Sequence, residues 1–67
     1  MKVKVNGEFR ELPEGTATVR ALLDELRYSF PLLIVRVNGS LVERGAYSQA
    51  PLSEGDDVDV YHLVSGG

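Results

Sequence analysis

Apolar and polar residues alternate over residues 1–5, with Met1, Val3 and Val5 on one side and Lys2 and Lys4 on the other. That is the period-two pattern of a half-buried strand. Asn6-Gly7 follows, and both residues accept positive φ, which favours a two-residue hairpin turn. Residues 8–12 are expected to return as a second strand with Phe9 as its main apolar anchor, ended by Pro13-Glu14-Gly15. Over TATVRALLDELR the period changes. Val19, Leu22, Leu23 and Leu26 recur at helical spacing as one apolar stripe, opposite Arg20, Asp24, Glu25 and Arg27. Thr18 is the expected N-cap, its hydroxyl accepting from a first-turn N–H. Arg20 and Asp24, one turn apart, are expected to pair, and Pro31 closes the region.

Residues 32–37, LLIVRV, form a nearly continuous apolar run rich in β-branched side chains, which predicts a strand covered on at least one face. Asn38-Gly39 is a second turn, followed by a short strand over 41–43. Residues 44–51 read as irregular, with Tyr47 as an apolar plug beneath them. Ser53-Glu54-Gly55-Asp56 makes a turn into the last strand, residues 57–64. There Val58 and Val60 point one way, and Asp57, Asp59, Tyr61 and Leu63 the other. This order predicts an α+β domain over residues 1–64, a mixed sheet of four to five strands packed on one main helix. Residues 65–67 are expected to be a short flexible tail.

Composition narrows the functions open to such a domain. At 67 residues, a chain buries only about 60% of its unfolded surface and has little room for a deep catalytic pocket. With no cysteine, neither a disulfide framework nor a thiolate metal site is available, which favours a reducing, cytoplasmic setting. No apolar run approaches the length of a membrane span. The net charge is −3, with Glu54, Asp56, Asp57 and Asp59 gathered late and the seven basic residues scattered. That distribution argues against a nucleic-acid partner.

Most candidate sites weigh less than their ordinary structural explanations. His62 is the only histidine, so it has no second imidazole for a metal set. An ordinary rim histidine is the simpler reading, although its place four residues before Gly66 keeps a partner contact open. The late acids suit a solvated turn better than a divalent-cation site. The glycines fall at separate turns without a phosphate-loop pattern, and no serine has a histidine-and-acid set around it. An enzyme reading therefore has no apparatus. The remaining feature is Ser65-Gly66-Gly67, either a frayed end or a thread at most roughly 10 Å long that carries a reactive carboxylate. Lacking Cβ atoms, its glycines can pass a channel that any side chain would block. Tyr61 and Leu63, just before it, are either isolated exposed apolar residues or a docking patch.

VSGG at the end, VNGSLVERGAY, LSEGDDVDV and TVRALLDEL together resemble the bacterial sulfur carrier proteins of the ThiS/MoaD family, and the thiamine-biosynthesis carriers more than the small subunit of molybdopterin synthase. The resemblance covers essentially the whole chain. It implies a ubiquitin-like β-grasp fold and a carrier and cosubstrate, not an enzyme. It also implies that the Gly67 carboxylate is adenylated by a ThiF-like enzyme using ATP and magnesium, with no cofactor bound by this chain. Sulfur from a persulfide, supplied through a cysteine desulfurase, then yields a thiocarboxylate that donates to a ThiG-like thiazole synthase. Gly66 and Ser65 would give the tail access, and Tyr61, Leu63 and His62 would dock the partner. A molybdopterin-type or other sulfur pathway and a ubiquitin-like modifier joined through Gly67 remain as alternatives.

Overall fold

The computed structural model describes residues 1–29 and 32–63. Strands β1 (Lys2–Val5) and β2 (Glu8–Glu11) form the first hairpin, helix α1 (Val19–Glu25) follows, and β3 (Leu33–Val37) and β4 (Ser40–Val42) form the second hairpin. A 3₁₀ turn at Arg44–Ala46 leads to the last strand, β5 (Asp57–His62). The five strands lie in the order β2-β1-β5-β3-β4. β1 and β5 are parallel, while the other neighbouring pairs are antiparallel. The chain thus forms the predicted mixed sheet with one helix, and β5 takes the centre.

Alternation explains the burial. Val3, Val5, Val35, Val58 and Val60 project from one face of the sheet and meet Val19, Leu22 and Leu23 of α1 in a single core, closed by Leu12, Tyr47 and Leu52. Tyr47 plugs the loop as expected, its hydroxyl donating to the Leu33 carbonyl at 3.4 Å. Thr18 caps α1, its Oγ1 accepting from the Ala21 N–H at 3.2 Å, and Arg20 pairs with Asp24 at 2.7 Å.

Phe9 departs from expectation. It is 68% exposed and anchors nothing in the core. The two-residue turn, with Asn6 at φ 50° and Gly7 at φ 85°, forces Lys4 opposite Phe9. Phe9 therefore shares the outer face with the lysines, away from Val3 and Val5. The lysines shield it instead, their ammonium groups 5.5 and 5.6 Å from the ring centroid, a cation–π arrangement.

The end of α1 is a Schellman cap: the Tyr28 N–H donates to the Leu23 carbonyl at 2.9 Å and the Arg27 N–H to the Asp24 carbonyl at 3.2 Å. Arg27 adopts φ 61°, where a Cβ costs about 1–2 kcal/mol. Arg27→Gly removes that strain but adds unfolded-state entropy of about 0.5–1 kcal/mol. The net expectation is a stabilisation of about 0.5–1 kcal/mol, seen as a melting temperature a few degrees higher. An unchanged or lower value would mean that the Arg27 side chain makes contacts worth more than the strain.

Candidate functional site: the end of the central strand

The strand that precedes the C-terminal Gly66-Gly67 is β5. β5 runs between β1 and β3, so its position is fixed from both sides. At its start, Asn38 Nδ2 donates to Asp56 Oδ1 at 3.0 Å, and the Asp57 N–H donates to Asn38 Oδ1 at 2.9 Å. Asp56 Oδ2 accepts from the Ser53 N–H at 2.8 Å. Farther along, where β1 has turned away, Asn6 takes the place of a strand. Its Nδ2 donates to the Val60 carbonyl at 3.0 Å, and its Oδ1 accepts from the Val60 N–H at 2.8 Å. The side chains of both Asn-Gly turns thereby clamp the strand that carries the site.

Beyond β5 the pairing continues for one residue, with the Leu63 N–H donating to the Leu32 carbonyl at 2.9 Å. That bond lies at the end of the sheet where β3 begins. Ser65, Gly66 and Gly67, together with Val64, lie outside the described residues.

Tyr61 is 48% exposed and Leu63 52% exposed. Tyr61 stands on the outer sheet face, as alternation predicts, because it continues the row of Asp57 and Asp59. The register puts Ile34 opposite Tyr61, Arg36 opposite Asp59 and Leu41 opposite Arg36, so all of them share that face. Leu41 is 64% exposed. The Arg36 guanidinium lies over the Tyr61 ring, 5.9 Å from its centroid, and 3.9 Å from an Asp59 oxygen. His62 falls elsewhere. Its register partner is Leu33, which packs against the core, so His62 projects from the helix side of the sheet. The structure brings Tyr61 together with Ile34, Arg36 and Leu41, and separates it from His62.

Ile34, Arg36 and Leu41 were missed by the sequence reading, although a signal existed. A two-residue Asn38-Gly39 turn pairs Arg36 with Leu41, just as Asn6-Gly7 pairs Lys4 with Phe9.

The late acids serve the fold. Besides Asp56 and Asp59, Glu54 Oε1 accepts from the Lys2 N–H at 3.1 Å. Among the described residues no three His, Asp or Glu side chains are arranged to hold a metal ion. No helix of the described residues is long and apolar enough to cross a membrane.

Comparison with known proteins agrees with this geometry. The model of the ThiS family matches residues 3–67. A crystal structure of the thiamine biosynthesis protein ThiS from Geobacter metallireducens superposes with a TM-score of 0.84 at 28% identity, covering 100% of each chain. A solution structure of a thiamine biosynthesis protein from the same organism gives 0.78 at 28% identity, covering 100% of this chain and 88% of that one. Two curated relatives are called thiazole synthase. The one from Magnetococcus marinus is 36% identical and that from Paramagnetospirillum magneticum 33% identical, each over 67 residues. The whole of this chain is covered in both cases but only 20% of the relative, so it spans about a fifth of their length.

Proposed function

The chain belongs to the ThiS family, and on that premise we propose that it carries sulfur as a thiocarboxylate on Gly67 for thiazole formation in thiamine biosynthesis. The observation that carries the proposal is a family match running through Gly67, over a chain whose central strand, β5, ends five residues before it at His62. The thiazole synthase names of relatives that contain a carrier-like stretch support a thiazole synthase as the acceptor.

The chemistry needs two partners because a carboxylate is a poor electrophile. A ThiF-like enzyme, which supplies the ATP and magnesium, lets the Gly67 carboxylate attack the α-phosphorus, releasing pyrophosphate. A persulfide loaded by a cysteine desulfurase then attacks the acyl-adenylate carbonyl, and AMP leaves. A thiol cleaves the resulting acyl disulfide and frees the thiocarboxylate, whose sulfur is the nucleophile passed to the acceptor. This chain contributes the electrophilic carbon, the side-chain-free thread and the surface that docks it.

Intact mass spectrometry after coexpression with the adenylating enzyme and the desulfurase tests the proposal. One oxygen replaced by sulfur is expected, and the change must vanish when Gly67 is deleted. An unchanged mass under conditions where the enzymes are active would refute carriage, and isopeptide-linked adducts would mark a protein modifier instead.

The docking surface gives a separate expectation. Tyr61→Asp and Leu63→Asp each place a charge on the exposed strip at the tail's root. Each should weaken binding to the adenylating enzyme by at least ~10-fold, the scale of an interface residue worth more than 1 kcal/mol. Titration calorimetry measures this, and unchanged affinity for both variants would remove the strip from the interface.

A further inference from the structure

The primary amines of the chain gather in one corner of the sheet, at the end opposite the C-terminal end of β5. Lysine occurs only at positions 2 and 4, whereas the other strongly basic side chains, Arg10, Arg20, Arg27, Arg36 and Arg44, are arginines. Lys4 is level with Asp57 at the start of β5. Lys2 sits farther back, its carbonyl accepting from the Gly55 N–H at 2.8 Å. Both ammonium groups lie over Phe9, on the edge strand beyond β1, and so point away from β5. The Met1 ammonium is held at the same edge, donating to Glu11 Oε2 at 2.8 Å and to the Leu12 carbonyl at 3.0 Å. The bond to Glu11 raises its pKa above the ordinary value, which favours the protonated, non-nucleophilic form.

The tail cannot easily close this gap. Six residue steps separate Asp57 from Leu63, or ~20 Å at ~3.3 Å per step. The four residues after Leu63 reach at most ~14 Å. To meet Lys4, the tail would have to double straight back along the sheet while the lysine left Phe9 and extended towards it.

We infer that this placement protects the activated C terminus from self-acylation: near the end of β5 the described surface carries the Arg36 guanidinium and no lysine. The inference rests on Gly67 being the activated residue. In the reaction avoided, a lysine Nζ attacks the Gly67 acyl-adenylate carbonyl. A C–N bond forms, the C–O bond to phosphate breaks, AMP leaves, and the amine proton passes to water. The product is a lactam one water lighter than the free acid, with no carboxylate left to carry sulfur. A guanidinium, with a pKa above ~12, stays protonated and does not react in this way. A lysine tethered nearby keeps a small free-base fraction, and a short flexible link presents it at millimolar effective concentration. An imidazole such as that of His62 differs again, because an acyl-imidazole returns its acyl group to water or thiol.

The test needs no adenylating enzyme, so it stands apart from the proposed function. The chain is prepared with a Gly67 thioester by thiol cleavage of an intein fusion, held at mildly alkaline pH and followed by intact mass spectrometry. Here the C–S bond breaks and the thiol leaves. Wild type and Arg10→Lys, which adds an amine to the far edge strand, should give only the linear acid. Leu32→Lys puts an amine beside the tail's root and Arg36→Lys puts one on the outer face next to Tyr61. Each should form lactam at least ~10-fold faster than wild type, as expected for an amine raised from out of reach to millimolar effective concentration. Lactam in wild type at a rate like that of Leu32→Lys would overturn the inference. So would its absence from both Leu32→Lys and Arg36→Lys.

Discussion

Replacing Gly66 with valine is expected to slow formation of the Gly67 thiocarboxylate by at least ~100-fold, the cost of misplacing a reacting group by about 1 Å, while leaving thermal melting unchanged. Two structural facts make the expectation sharp. The buried apolar residues of the described core run from Val3 to Val60, so the substitution falls beyond the last of them. Substitutions away from a packed core usually alter stability by no more than about 0.5 kcal/mol. On the proposed function, valine adds a branched side chain one residue from the reacting carbonyl, where the thread would pass into another protein's active site. Release of pyrophosphate from ATP separates adenylation from the later sulfur step. Pyrophosphate formed at the wild-type rate by Gly66→Val would disprove the narrow-channel argument, even if sulfur transfer itself were slower.

The second large effect is on stability. Asn6→Ala is expected to cost about 3–4 kcal/mol, the sum of about 1–2 kcal/mol for an alanine held at positive φ and two lost hydrogen bonds at roughly 1 kcal/mol each. A domain of this size has a total of only about 3–5 kcal/mol, so much of the population would unfold at ambient temperature. Asn6→Gly separates the two causes. It keeps the φ of 50° at little steric cost but loses the bonds to the Val60 N–H and carbonyl. Denaturant unfolding should place it between wild type and Asn6→Ala. Hydrogen exchange should show the Val60 amide losing protection in both variants before the rest of the sheet does. Both variants as stable as wild type would mean that the ladder across Asn6 contributes nothing. The position also bears on the proposed docking strip, since Val60 immediately precedes Tyr61 and loosening it frees the strand that carries that residue.

Local signals in the chain proved sufficient where local physics decides. The stripe Val19, Leu22, Leu23 and Leu26 specified a helix, and three of the four side chains are buried in it. The Thr18 cap and the Arg20–Asp24 pair depend on neighbours within four residues, and both formed. Alternation in β5 correctly sent Val58 and Val60 inward and Tyr61 outward. Phe9 faces outward because its register opposite Lys4, not its hydrophobicity, sets its side of the sheet. In a hairpin with a two-residue turn, the partner strand sets the face on which each side chain lies.

What the sequence determined by itself was the order of elements, the turn positions and the Gly-Gly end, because each rests on periodicity or on backbone freedom encoded within a few residues. Only the tertiary structure decided which strand lies at the centre, that Asn6 and Asn38 reach across to clamp it, that Ile34, Arg36 and Leu41 join Tyr61 while His62 faces the other way, and that the lysines stand at the opposite end of the sheet from Leu63. Those relations join residues up to 54 positions apart, as between Asn6 and Val60. Their geometry is set by sheet order and register, which no local stretch of chain contains.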